Sequence, residues 1–170
     1  MDIFSILLWF FVILGFGIFA GSYFDAMWLP TKRENYDRIA KLSQLKPGMI
    51  FYDIGSGSAN MLFYFSKKYN ANCVGIEIAP FWYLYSKIKS LFYRKVKIKY
   101  GNFYKYDLST ADVVYAFLLP KNYLKIKNKT DKELKVGAKL VLSSWPFKNS
   151  KPIKVDGEGT LTPYYLYINT

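Results

Sequence analysis

Residues 51–60 read Phe51-Tyr52-Asp53-Ile54-Gly55-Ser56-Gly57-Ser58-Ala59-Asn60. An apolar, β-type run reaches an acid, breaks at two glycines one residue apart, and reopens into a helix-compatible stretch. Glycine at such a junction lets a ligand approach the backbone, and the following helix points its unpaired first-turn amides at the same place. A strand–turn–helix unit of this kind opens a βαβ crossover, so the stretch predicts a parallel sheet.

The same alternation continues outward. Short apolar runs at 49–54, 72–78, 96–100, 111–119 and 138–143 read as strands, with helix-compatible stretches at 59–69, 80–93 and 121–135 between them. Most of the strand runs are nearly continuous in hydrophobicity, as expected where both faces of a sheet are covered. The predicted fold class is α/β: a doubly wound, mostly parallel sheet. Residues 153–155 and 164–168, around the Asp156-Gly157-Glu158-Gly159 turn, predict a closing antiparallel hairpin. Upstream, residues 31–44 read as an amphipathic helix, with Thr31 as N-cap and Glu34 completing a capping box.

The start of the chain is different. Ile3 to Phe24 carries no charge over 22 residues, about 33 Å as a helix, and this predicts one N-terminal transmembrane helix. No Lys or Arg precedes it, whereas Lys32, Arg33, Arg38 and Lys41 follow it. The positive-inside rule therefore places the rest of the chain on the cytoplasmic side, with Tyr23 and Trp28 as interfacial anchors. A cleaved signal peptide is the competing reading, kept open by Ala20, Gly21 and Ser22. The expected organisation is an anchor at 1–27 and a single α/β domain at 28–170.

Composition narrows the chemistry. The 170 residues carry 24 Lys+Arg against 12 Asp+Glu, a formal net charge of +12, which favours anionic surfaces. The basic residues are scattered and form no long arm, so nucleic acid is not the expected partner. The absence of histidine removes Ser-His and Cys-His catalysis and His-ligated zinc. No carboxylate cluster suggests a metal. The single cysteine, Cys73, excludes an internal disulfide and fits a reducing compartment.

The Gly turn can be matched against ligands. A dinucleotide fingerprint counted from Gly55 would require a small third residue at position 60, which is Asn60, and a P-loop lysine is absent. Asp53, two residues before the first glycine, would repel a phosphate but suits a cationic, methionine-like group. Glu77, at the end of the next strand run and twenty residues after Gly57, is placed to accept bonds from ribose hydroxyls. The two acids together point to an aminoacyl, sulfonium-bearing cofactor.

With Asp53, Gly55 and Gly57 matching D-x-G-x-G, Glu77 ending the second strand, and Gly101-Asn102-Phe103 after the third, the chain resembles class I S-adenosylmethionine-dependent methyltransferases. Pro30-Thr31, residues 101–120 and residues 132–147 bring it closer to the small archaeal and membrane-anchored mitochondrial protein-lysine methyltransferases. The resemblance covers residues 28–168. It implies a Rossmann-like fold that holds S-adenosyl-L-methionine through Asp53, Gly55, Ser56, Gly57, Asn60, Glu77, Ile78, Asn102 and Phe103, with Thr31 folding over it. Many relatives continue the motif as Asp-Gly-Arg where this chain has Ser58-Ala59-Asn60, and an acid is thereby lost.

No catalytic residue is identified. The acceptor slot is expected at Phe117, Leu118, Leu119 and Pro120, walled by Trp145 and Phe147. A protein acceptor is expected. The alternatives are a lipid or other hydrophobic small molecule, an RNA, or a non-catalytic membrane scaffold of the same fold.

Overall fold

The computed structural model describes residues 2–23 and 30–170, with the backbone alone at 14 and 16–23. Among the described residues five α-helices and seven strands follow in chain order. They are α1 (Ile3–Tyr23), α2 (Tyr36–Ser43), β1 (Ile50–Ile54), α3 (Asn60–Lys68), β2 (Asn72–Glu77), α4 (Pro80–Ser90), β3 (Val96–Tyr100), β4 (Val113–Ala116), α5 (Tyr123–Glu133), β5 (Lys139–Ser143), β6 (Lys154–Asp156) and β7 (Tyr164–Ile168).

One sheet orders the strands β3-β2-β1-β4-β5-β7-β6. The first five are parallel; β7 runs antiparallel to β5, and β6 antiparallel to β7. This is the doubly wound, mostly parallel sheet with a C-terminal hairpin that the alternation predicts. Strand order reverses direction between β1 and β4, and in open α/β sheets ligands bind outside the carboxyl ends of the strands at such a point.

Two apolar layers cover the sheet. On one side, Phe51, Cys73, Ile98, Tyr115 and Val141 pack under α2 and α3 through Tyr36, Ile39, Leu62 and Phe65. On the other, Tyr52, Ile54, Ile76, Val114 and Leu142 pack under α5 through Tyr123 and Ile126. Consecutive strand residues point to opposite faces, so Phe51 serves one layer and Tyr52 the other. That is why these strands show continuous rather than alternating hydrophobicity.

Three expectations are corrected. The helix expected over 31–44 is a 3-10 turn at Arg33–Asn35 followed by α2, and no side chain caps either N-terminus. The capping box does not form because the Thr31 hydroxyl is committed to Tyr115 Oη, 2.8 Å away. The fourth strand is shorter than the apolar run suggests, because 117–119 leaves the sheet.

The third concerns the N-terminus. Ile3–Tyr23 is helical. Among the described residues no helix is long and apolar enough to cross a membrane, so the transmembrane expectation is not borne out there. Trp28, the side chain of Tyr23 and the expected boundary at 27/28 lie outside the described residues.

Candidate functional site

β1 carries Asp53 into the base of the turn at 55–59. The residue is 6% exposed, on the same strand face as Phe51. Burial, then the negative charge of Glu77, push its carboxyl up to about 8. The same buried acid, after burial itself, raises Tyr36, and it helps hold the Cys73 thiol at about 12. Cys73 thus behaves as a small apolar core residue.

The turn is fastened to β2 by backbone. Gly55 and Ser56 amides donate to the Ile76 carbonyl at 2.9 and 3.1 Å. Gly57 N–H donates to Glu77 Oε2 at 2.6 Å, and Ala79 N–H donates to Glu77 Oε1 at 2.7 Å. Burial raises Glu77 while the Ala79 and Gly57 amides pull it back, and the net shift is upward. The acid expected to meet a ribose therefore also shapes the Gly turn. Gly55 and Gly57 have φ of 85° and 51°, the left-handed region that glycine adopts freely. Ala59 shares that region at φ 55°, so one ordinary residue is held there by the surrounding structure.

A second close approach lies beneath the turn. A Cβ at Gly75 of β2 would meet Ser56 Oγ at 2.7 Å, Leu62 Cδ1 at 2.8 Å and Ile98 Cδ1 at 3.0 Å. The missing side chain is what lets α3 settle onto the sheet. Ser56 Oγ is buried there without a hydrogen-bond partner among the described residues.

Past β4 the chain folds back onto the same turn. A Cβ on Gly55 would lie 3.0 Å from Leu118 Cδ2, so the expected acceptor segment and the Gly turn are neighbours. Phe117, Leu118 and Leu119 are half-buried and Pro120 is exposed. The Trp145 and Phe117 rings lie 6.3 Å apart at 35°. Ser144, just before Trp145, has φ 70° and donates its amide to Pro163 O at 2.8 Å.

The structure thus brings together Asp53, Gly55, Ser56, Gly57 and Glu77 with Phe117, Leu118 and Trp145. Ile78 follows Glu77 and is half-buried. Other expected residues have further engagements. Asn60 is exposed, and its Oδ1 accepts from Lys89 Nζ of α4 at 2.8 Å. Asn102 is exposed, and its Oδ1 caps the following 3-10 turn by accepting from Tyr104 N at 3.0 Å. Phe103 is half-buried, its ring 4.0 Å from that of Tyr104. Phe147, expected to wall the slot, is instead core: it packs on Tyr167 at 4.7 Å and Tyr123 at 6.0 Å.

One element went unanticipated. Tyr115, fully buried in β4 and raised well above its usual pKa by burial, anchors Thr31. A tyrosine within Val113-Val114-Tyr115-Ala116 was the available signal, since a buried phenol requires a partner.

The residues fit an aminoacyl sulfonium ligand. Burial and Glu77 both disfavour ionisation of Asp53, and a cation at the turn would reverse that. The left-handed glycines leave the backbone open to close approach. This sheet order, with paired acids at the ends of β1 and β2 around a Gly turn, defines a class I S-adenosylmethionine-dependent methyltransferase. Residues 53–154 match the ANTKMT methyltransferase domain, and the chain belongs to that family.

The likenesses agree. The chain is 29% identical over 153 residues to a protein-lysine N-methyltransferase of Saccharolobus islandicus, covering 83% of this chain and 92% of that one. It is 25% identical to a human lysine N-methyltransferase named for the ATP synthase, over 77% of this chain but 57% of the human enzyme. Among solved structures, an RNA methyltransferase from Salinibacter ruber in complex with S-adenosyl-L-homocysteine superposes with TM-score 0.77 at 25% identity, covering 82% and 93% of the two chains. A precorrin-6y C5,15-methyltransferase from Geobacter metallireducens shares the fold, with TM-score 0.65 at 18% identity over 83% and 90%. The chain is therefore an enzyme that uses S-adenosyl-L-methionine, and a non-catalytic scaffold is not favoured.

Proposed function

We propose that the enzyme methylates lysine side chains of a protein acceptor at the cytoplasmic face of a membrane. The observation that carries the lysine reading is the match to the Saccharolobus protein-lysine N-methyltransferase over 92% of its length.

The site is compatible with this chemistry. When bound, S-adenosylmethionine supplies a methyl group on a cationic sulfur that an amine displaces in line. What the protein contributes is positioning and exclusion of water. Phe117, Leu118, Leu119 and Trp145 form a half-apolar rim beside Gly55. A lysine entering such a rim loses solvation, which lowers its pKa and favours the neutral nucleophile. No histidine is needed for that. The membrane placement is supported by the uncharged run at 3–24 followed by Lys32, Arg33, Arg38 and Lys41.

The Salinibacter likeness supports a second reading, RNA as acceptor, which the net charge of +12 also suits. The test uses the full chain with methyl-labelled cofactor and three acceptors: a membrane-protein fraction, its extracted lipid, and total RNA. Label recovered as methyl-lysine supports the proposal. Label recovered in RNA or lipid, with none in protein, overturns it.

A further inference from the structure

On α4 Tyr83 packs against the core, but most of the apolar residues point away from it. Ser86 is fully buried, and its hydroxyl bonds back to Trp82 O and Tyr83 O at 2.7 and 3.0 Å. The opposite face carries Phe81, Leu84, Tyr85 and Ile88, and the turn after the helix adds Leu91 and Phe92, all exposed. Their spacing of three and four residues makes one stripe along the helix. Ile88 is 55% exposed and Phe92 83%; a contiguous stripe of this kind marks a contact surface.

Its surroundings say what kind. At 100° per residue, Lys87 and Lys89 fall on the two borders of the stripe. Lys89 lies over the Phe63 ring at 4.9 Å and the Tyr85 ring at 5.9 Å, with its stem along apolar surface and its ammonium at the edge. The stripe then runs into an open groove lined by Ser66, Lys67, Phe92, Tyr93, Arg94 and Lys95. No acid lines it. The uncharged helix α1 passes alongside α4. An apolar stripe bordered by lysines, ending in a basic groove and continuous with an uncharged helix, is the chemistry of a helix lying in the interface of an anionic bilayer.

We infer that α4 is a second, independent membrane contact. Its Phe81–Phe92 stripe enters the headgroup–acyl boundary of an anionic leaflet, while Lys67 and Arg94 meet lipid phosphates. The helix follows Glu77 directly, so this contact fixes the orientation of the cofactor site toward the surface. It rests on different residues from the membrane placement of α1, and the test separates the two.

The native Cys73 is buried, so new surface cysteines can be labelled with bimane in the full chain, the unsubstituted chain giving the background. Three variants are reconstituted into vesicles of phosphatidylglycerol and phosphatidylcholine containing brominated acyl chains: Ile88→Cys on α4, Ile6→Cys on α1, and Leu124→Cys on α5, which packs on the opposite face of the sheet. The label at Ile88 is expected to lose roughly half its emission while that at Leu124 is unaffected. The loss should shrink with phosphatidylcholine alone, or with Lys67→Gln and Arg94→Gln together. Quenching at Ile6 but equal, weak quenching at Ile88 and Leu124 overturns the α4 contact and leaves an α1 anchor. Quenching at Ile88 without Ile6 keeps α4 and removes α1 as the anchor. An Ile88 label shielded from both brominated lipid and aqueous iodide means another protein surface covers the stripe, and the inference fails.

Discussion

Glu77 and Gly57 are joined by a 2.6 Å hydrogen bond from the glycine amide to the carboxylate, so the residue that ends β2 also holds the Gly turn that follows β1. Glu77→Gln presents an amide donor to backbone donors on one side. It should destabilise the fold by about 1–3 kcal/mol, the range for leaving a buried donor unpaired, and weaken S-adenosylmethionine binding at least ~10-fold, ~1.4 kcal/mol. Denaturant melts and calorimetric titration of the same sample read both. Unchanged affinity alongside lost stability would reduce Glu77 to a purely structural residue.

Asp53 predicts a trade of stability against binding. Its folded carboxyl titrates at about 8, whereas an unfolded aspartate titrates near ~3.9. Between these values the folded chain holds a proton that the unfolded chain has released, so this group lowers stability progressively as pH rises from about 4 to 8. Asp53→Asn should remove that slope and raise stability at pH 8 by more than ~1 kcal/mol. It should also weaken cofactor binding about 10-fold or more. Melting curves across the window check the first, titration the second. Parallel pH slopes in both proteins would refute the buried-acid reading.

A cationic ligand at Asp53 draws the proton off. Cofactor affinity of the native enzyme should therefore rise between pH 6 and 8, and binding should release protons. Titrations in two buffers of different ionisation heat measure that release directly. Buffer-independent heats would contradict it.

The Thr31–Tyr115 bond at 2.8 Å couples the segment before α2 to the fourth strand. A double-mutant cycle of Thr31→Val and Tyr115→Phe should give a coupling of about 0.5–1.5 kcal/mol, the net worth of one hydrogen bond. Additive effects would show that the two hydroxyls act independently.

Gly75→Ala should destabilise by about 1–3 kcal/mol through overpacking. The new methyl meets Ser56 Oγ at 2.7 Å and Leu62 Cδ1 at 2.8 Å. Because it pushes on the Gly turn from below, cofactor affinity should fall too. A thermal melt with unchanged midpoint would show that α3 shifts without cost.

The sheet was legible because burial on both faces leaves a direct trace, as in Phe51-Tyr52-Asp53-Ile54 and Val113-Val114-Tyr115-Ala116. The turn was legible because glycine at 55 and 57 answers a backbone requirement that few residues meet. Side-chain partners were less so. Thr31 has the spacing of a cap with Glu34, yet Tyr115, 84 positions away, takes its hydroxyl. Phe147 and Trp145 are two residues apart with similar chemistry, and only tertiary packing sends one inward and the other to the rim. Asn60 has the position of a ligand contact, but the reach of Lys89 from another helix was not visible in the chain. Long-range pairing decides such cases, and sequence spacing does not carry it.

Arg38 has a consequence for how the protein is made. Its Nε donates to Asp156 Oδ2 at 2.7 Å, its Nη1 to Asn35 Oδ1 at 2.8 Å, and its guanidinium lies 5.0 Å from the Tyr164 ring. Asp156 is 118 positions further along the chain. During synthesis α2 leaves the ribosome long before Asp156 or Tyr164 exists, and at about 5–20 residues per second it waits for several seconds. Over that interval the apolar face of α2, with Tyr36, Ile39 and Leu42, has no β7 to close against. Until Asp156 and Tyr164 have been synthesised, Arg38 at this corner of the enzyme lacks both its carboxylate and its aromatic partner.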